Sequence, residues 1–81
     1  MGRIPRVSGN QLIKYLANKK GFQVSHRKGS HASLHNENQH KFTSVPSKND
    51  ILGTGLLLQI LEDCGISREE FISDYQNGLL K

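Results

Sequence analysis

Three short runs between Phe22 and Val45, "FQVSH", "HASLH" and "KFTSV", constrain this chain more than any other feature. In each, apolar and polar residues alternate and turn residues bound the run, the pattern of half-buried strands. The connections "RKGS" and "NENQ" are short, so the strands form two antiparallel hairpins. A three-stranded sheet with one apolar face needs that face covered. The chain on either side carries helix signals that supply the cover.

The hydrophobic pattern predicts a register. Setting Val24 against Leu34 gathers Phe22, Val24, Ala32 and Leu34 on one buried face, and a one-residue slip would put Val24 beside His35. This register places Arg27 across from His31 on the open face and His26 at the rim of the core side. In the second hairpin it sets His35 across from His40, Ser33 across from Phe42 and His31 across from Ser44. Thr43 and Val45 then face inward, and Pro46 ends the third strand. Phe42 falls on the open face unless a bulge turns it into the core, and the sequence leaves both options standing.

Helix starts are written plainly. In "VSGNQL", Ser8 is an N-cap, Gln11 three residues on completes a capping box, and Val7 staples to Leu12. Leu12, Ile13, Leu16 and Ala17 make the buried stripe, and Gly21 ends the helix. Leu57, Ile60, Leu61 and Cys64 give a second apolar stripe, closed by Gly65. "ISREEF" repeats the start signal, with Ser67 as cap, Glu70 completing the box and Ile66 stapled to Phe71. This third helix runs to about Asp74–Gln76, and Asn77-Gly78 and the last residues are expected to fray. The fold class is therefore α+β, a two-layer sandwich in the order α-β-β-β-α-α with the helices on one face. Residues 1–81 form one domain, ordered over about 4–76, with a short flexible C-terminal tail.

The 81 residues suffice for one core. A domain of this size buries only ~60% of the surface its unfolded chain exposes. The longest apolar run, Leu56-Leu57-Leu58, is far short of the ~20 residues that span a bilayer, so no membrane association is expected. The first twenty residues have no continuous apolar stretch, which argues against a signal peptide. A single cysteine, Cys64, permits no internal disulfide, and the cytoplasm is the expected compartment. Residues 1–48 carry nine Lys/Arg and one Glu, whereas residues 49–81 carry two Lys/Arg and six Asp/Glu. A basic front of that kind suits nucleic acid or an acidic protein.

Chemistry concentrates in "RKGSHASLH", residues 27–35. His31 follows a Gly-Ser turn and points to the open face, with Arg27 as its expected cross-strand neighbour. Lys28 sits in the turn, and backbone N–H groups around Gly29 and Ser30 also suit an anion. An imidazole among fixed cations on an uncovered surface fits work on a phosphate. The plain alternative is a surface turn histidine. His35 lies four strand residues from His31, ~13 Å, too far to share one phosphate. His35 and His40 have no third ligand at a zinc spacing, so no metal site is expected. There is no nucleotide loop, serine nucleophile signature or carboxylate pair, and no small-molecule cofactor is expected.

Four motifs together resemble the HicA-type toxins, the small RNA-cleaving halves of bacterial and archaeal toxin–antitoxin pairs. They are "PRVSGNQLIKYL", "GFQVSHRKGSH", "SVP" and "GLLLQILEDCGISREEF", in the family's order and spacing from residue 4 to about 72. The resemblance implies a fold similar to a double-stranded-RNA-binding domain. It implies metal-independent cleavage of messenger RNA, which halts translation. It also implies a catalytic histidine matching His31 beside a glycine matching Gly29, and a HicB-type antitoxin as partner. Ser47 and Leu58 stand where many members carry cations. Phosphate contacts are expected from Arg27, Lys28, Gly29, Ser30, Lys14, Lys41 and Lys48. A ribonuclease, a non-catalytic RNA-binding module of the same fold, and a protein whose basic face only binds an acidic partner are the three readings open at this point.

Overall fold

A computed structural model describes residues 4–80, so the ends of the expected domain, residues 1–3 and 81, lie outside it. The elements are α1 (Gly9–Lys19), β1 (Gln23–Lys28), β2 (His31–Asn36), β3 (Lys41–Pro46), α2 (Thr54–Asp63) and α3 (Arg68–Gln76). The strands form one antiparallel sheet in the order β1-β2-β3. The helices cover one face, as the alternation required.

Local signals act as read. The Ser8 hydroxyl accepts the Gln11 N–H at 3.1 Å while the Gln11 side chain accepts the Ser8 N–H at 2.8 Å. Val7 and Leu12 are both fully buried. Gly21 adopts φ +75°, and the Lys20 and Phe22 N–H groups both reach the Leu16 carbonyl, turning the chain into β1. Leu57, Ile60, Leu61 and Cys64 are buried against the sheet with Ala32, Leu34 and Val45. The Thr43 hydroxyl donates to Asp63 at 3.4 Å, which sets the end of α2 over β3. Ser67 caps α3 by accepting the Glu70 N–H at 3.0 Å. The Glu70 carboxylate turns to Lys20 instead of closing the box.

Gly9 has a role that its place in the capping motif did not announce. A Cβ built there would sit 1.7 Å from the Pro46 carbonyl oxygen, so only glycine lets α1 lie this close to the end of β3. The loop after β3 then satisfies the start of α1, with the Asn10 N–H donating to Lys48 O at 2.9 Å and Leu52 N–H to Val7 O at 2.9 Å.

The C-terminal end differs from its expected looseness. Leu80 is 4% exposed, Leu79 packs on the core, and the Gln11 amide donates to the Leu80 carbonyl at 3.3 Å. Burying one leucine contributes about 1.5–3 kcal/mol. That is enough to hold a few residues that carry no regular structure.

Both hairpin registers also differ from those expected. In the second, the turn occupies residues 37–40, with His40 at φ +54°. The pairing slides by two residues: His35 faces Phe42, Ser33 faces Ser44 and His31 faces Pro46. A slide of two keeps every side chain on its face, and Thr43 and Val45 are buried as expected. In the first hairpin Val24 does pair with Leu34, but a bulge follows. Past it His26 faces Ser33, Arg27 faces Ala32 and Lys28 faces His31. Arg27 and His26 have thereby exchanged faces relative to the expected register.

Candidate active site

His31 opens β2 directly after a two-residue turn. Gly29 has φ +60° and Ser30 a negative φ, the backbone pattern that matches strand twist in a tight hairpin when glycine comes first. A Cβ on Gly29 would meet nothing within 4 Å, so the glycine serves the turn and not the packing. The Ser47 N–H donates to the Ser30 carbonyl at 2.6 Å. That bond ties the exit of β3 to the turn and brings Ser47 and Lys48 to the His31 end of the sheet.

Directly paired residues share a face, with Cβ atoms ~5 Å apart. Ala32 is buried, so His31 lies on the open face, and it is exposed. Its cross-strand cation is Lys28, on that same face. Arg27 pairs with buried Ala32, stands on the helix side of the edge strand, and is exposed there. The open face reads Gln23, His26 and Lys28 on β1, His31, Ser33 and His35 on β2, and Phe42, Ser44 and Pro46 on β3. His26 is on this face because of the bulge, and no sequence signal marked it. "SHRK" has no apolar residue to set the parity of the strand.

Phe42 is 73% exposed, which settles its side. It stands across from His35 in an open hollow of about 390 Å³ lined by His35, Asn36, Glu37, His40 and Phe42. His35 Nε2 lies 3.6 Å from the Glu37 carboxylate. Among the described residues, no three His, Cys, Asp or Glu side chains gather closely enough to hold a metal ion.

The remaining cations are scattered. Lys14 lies on the outer side of α1, beside Tyr15, Asn18 and Leu80 in a separate groove. Lys41 pairs with buried Asn36 and extends on the helix side toward Gly65. Lys20 is engaged with Glu70 and with Asp74, the latter at 2.9 Å. Of the expected phosphate contacts, the fold thus brings Lys28, Gly29 and Ser30 to His31, keeps Arg27 and Lys48 at the same end, and places Lys14 and Lys41 elsewhere. Among the described residues, no side-chain hydrogen bond or ion pair engages His26, Arg27, Lys28 or His31. Cys64 is buried, and burial followed by the nearby Asp63 charge pushes its thiol up to about 12, which keeps it an inert core residue.

Residues 9–66 match the model of a family described as HicA toxin of bacterial toxin-antitoxin. The matched span runs from the first residue of α1 to Ile66 and contains the whole sheet, the Gly29-Ser30 turn and His31. No curated protein matches the chain. Among the described residues, no helix is long and apolar enough to cross a membrane.

Proposed function

The chain belongs to the HicA toxin family of toxin–antitoxin systems, and from that premise we propose that it is a metal-independent endoribonuclease. It cuts messenger RNA with His31 and is silenced by a HicB-type antitoxin. The observation that carries this reading is the exposed His31, without a hydrogen bond or ion pair to any described side chain, paired across the hairpin with Lys28 on a sheet face that none of the described helices covers.

The groups at this end supply a base and fixed positive charge. The His31 imidazole takes the proton from a ribose 2′-OH. O2′ then attacks the adjacent phosphorus, and the bond from phosphorus to O5′ breaks. The Lys28 ammonium and the turn N–H groups at Gly29 and Ser30 stabilise charge gathering on the non-bridging oxygens. The products end in a 2′,3′-cyclic phosphate and a 5′-OH. Arg27 and Lys48 flank this end and serve neighbouring phosphates. Lys14 and Lys41, on other surfaces, add only long-range attraction that salt screens. Phe42, ~13 Å along the sheet from His31, offers a stacking surface to an unpaired base. An acidic antitoxin is drawn to the same basic front.

Purified protein incubated with long RNA and EDTA tests the reading. Cleavage with cyclic-phosphate ends, absent from a His31→Ala variant, is the expected result. Products with 5′-phosphate ends, or cleavage that appears only on adding a divalent metal, overturn it. RNA bound but left whole would make the chain a binding module of the same fold.

A further inference from the structure

Attack by a 2′-OH moves two protons. One leaves O2′, and another must reach O5′ as it departs. The first goes to His31 in the reading above, and the second has no assigned donor. His35 is ~13 Å from His31 along the strand and does not reach the same phosphodiester.

The bulge in β1 brings a different histidine into range. Gln23 and Val24 pair with His35 and Leu34, but the next pair is His26 with Ser33. Ser25 is the extra residue, and its hydroxyl donates to the Ser33 carbonyl at 3.3 Å. One inserted residue reverses the face of every side chain that follows in the strand. His26 therefore leaves the helix side and stands on the open face, diagonal to His31. Diagonal neighbours on one face have Cβ atoms ~7–8 Å apart. Two imidazoles at that spacing flank a single phosphodiester, one toward O2′ and the other toward O5′. Both are exposed, and neither is engaged with another described side chain, so both rings are free to turn toward a substrate.

We propose that His26 is the general acid of the cleavage reaction, an assignment that rests on the nuclease reading of His31. An imidazolium N–H of His26 gives its proton to O5′ as the phosphorus–O5′ bond breaks, while His31 keeps the proton taken from O2′. At the end of the step His31 is protonated and His26 neutral, and exchange with water resets both. The arrangement also explains why a bulge sits beside the turn, since bulges re-aim side chains at the edges of sheets.

Leaving-group chemistry tests the assignment. An oligoribonucleotide with sulfur in place of the scissile O5′ departs as a thiolate. A thiol loses its proton near ~8.5, far more readily than an alcohol, so the sulfur needs no proton from the enzyme. His26→Ala should slow cleavage of the all-oxygen substrate by roughly 10²-fold or more, and the sulfur substrate by less than tenfold. His26→Gln, which keeps a polar side chain of similar reach, should behave like the alanine variant. His31→Ala should slow both substrates. Equal slowing of the two substrates by His26→Ala would show that the residue binds or supports and does not donate the proton. An unslowed oxygen substrate would likewise overturn the proposal, leaving the His31 reading intact. If the wild-type protein cuts neither substrate, the nuclease reading itself fails, and the acid assignment fails with it. Unchanged urea midpoints for the His26 variants separate these effects from loss of fold.

Discussion

The seam between α1 and α3 and the open face of the sheet both carry lysine and phenylalanine side chains, put to opposite uses. At the seam the Tyr15 hydroxyl donates to Asp74 at 2.6 Å, and Lys20 pairs with Asp74 and Glu70 while lying 5.6 Å from the Tyr15 ring centre. The Tyr15 ring meets Phe71 edge-on at 5.6 Å. Every charge there has a partner, and the network closes the helical layer. On the open face His26, Lys28 and His31 make no hydrogen bond or ion pair with another described side chain. Charge that is spent on the fold is unavailable to a phosphate. The net charge of the front half therefore overstates the binding surface, because Lys20 is spent and Lys14 and Lys41 face other directions.

Two substitutions would break this division if it is wrong. His31→Ala should lower the cleavage rate by roughly 10²–10⁴ and leave the urea midpoint where it was, since the side chain is exposed. Phe71→Ala should do the reverse. Phe71 is fully buried against Tyr15, and removing it costs about 3–5 kcal/mol. A domain this small holds only a few kcal/mol in all, so much of the variant should be unfolded at 37 °C, while each folded molecule cleaves normally. A destabilised His31→Ala, or a well-folded but inactive Phe71→Ala, would show the two regions to be one.

Phe42 sharpens the comparison from the other side, as an aromatic ring that the fold does not use. Phe42→Ala should weaken single-stranded RNA binding by ~1–3 kcal/mol in a titration. Thermal unfolding should not change. Phe42→Tyr should keep the affinity and Phe42→Leu should lose it, because stacking needs a flat ring and not merely an apolar side chain. A drop in melting temperature for Phe42→Ala would mean that the ring supports the sheet after all.

What the sequence made legible follows the range of each signal. The Ser8 and Ser67 caps, the Gly21 and Gly65 stops and the α2 stripe are written within a few residues of where they act, and all are present. The second hairpin kept its faces through a two-residue slide because Leu34, Thr43 and Val45 fix parity by burial. The first hairpin lacked that anchor. After Val24 the strand is all polar and all exposed, so nothing in it opposed a bulge, and Arg27 and His26 changed places. Long-range pairings had no local trace: the Tyr15–Asp74 bond, the close approach of Gly9 to Pro46 and the docking of Leu80 join residues far apart in the chain. At the candidate site the places of His31 and the Gly29-Ser30 turn were legible because the turn itself fixes them, whereas Lys28, expected in the turn, ends β1 across from His31.

The seam should also respond to pH, in two separate windows. Burial acts to raise the Asp74 pKa, but hydrogen bonds from Tyr15 and Lys20 outweigh it and hold the carboxyl below its ordinary value. A depressed folded-state pKa stabilises above the unfolded value of ~3.9. That contribution is lost as pH falls from there through the folded value. Lys20 and Tyr15 act at the other end. Burial opposes the Lys20 ammonium, yet its bonds to Glu70 and Asp74 raise its pKa above the ordinary lysine value. Burial first, and then the Asp74 hydrogen bond and charge, push the Tyr15 hydroxyl well above the ordinary tyrosine range. Their contributions are complete below ~10 and are lost as pH climbs through the raised values. The seam's share of stability should therefore be flat between roughly pH 5 and 9. The ion pairs sit partly in water, so each limb is worth only about 1 kcal/mol. Asp74→Asn should lower the urea midpoint across the plateau and flatten the acid limb, so that the gap between variant and wild type narrows as pH falls below ~3.9. A constant gap from pH 3 to pH 7 would mean that the Asp74 charge contributes nothing to the seam and that the carboxyl acts only as a hydrogen-bond acceptor for Tyr15.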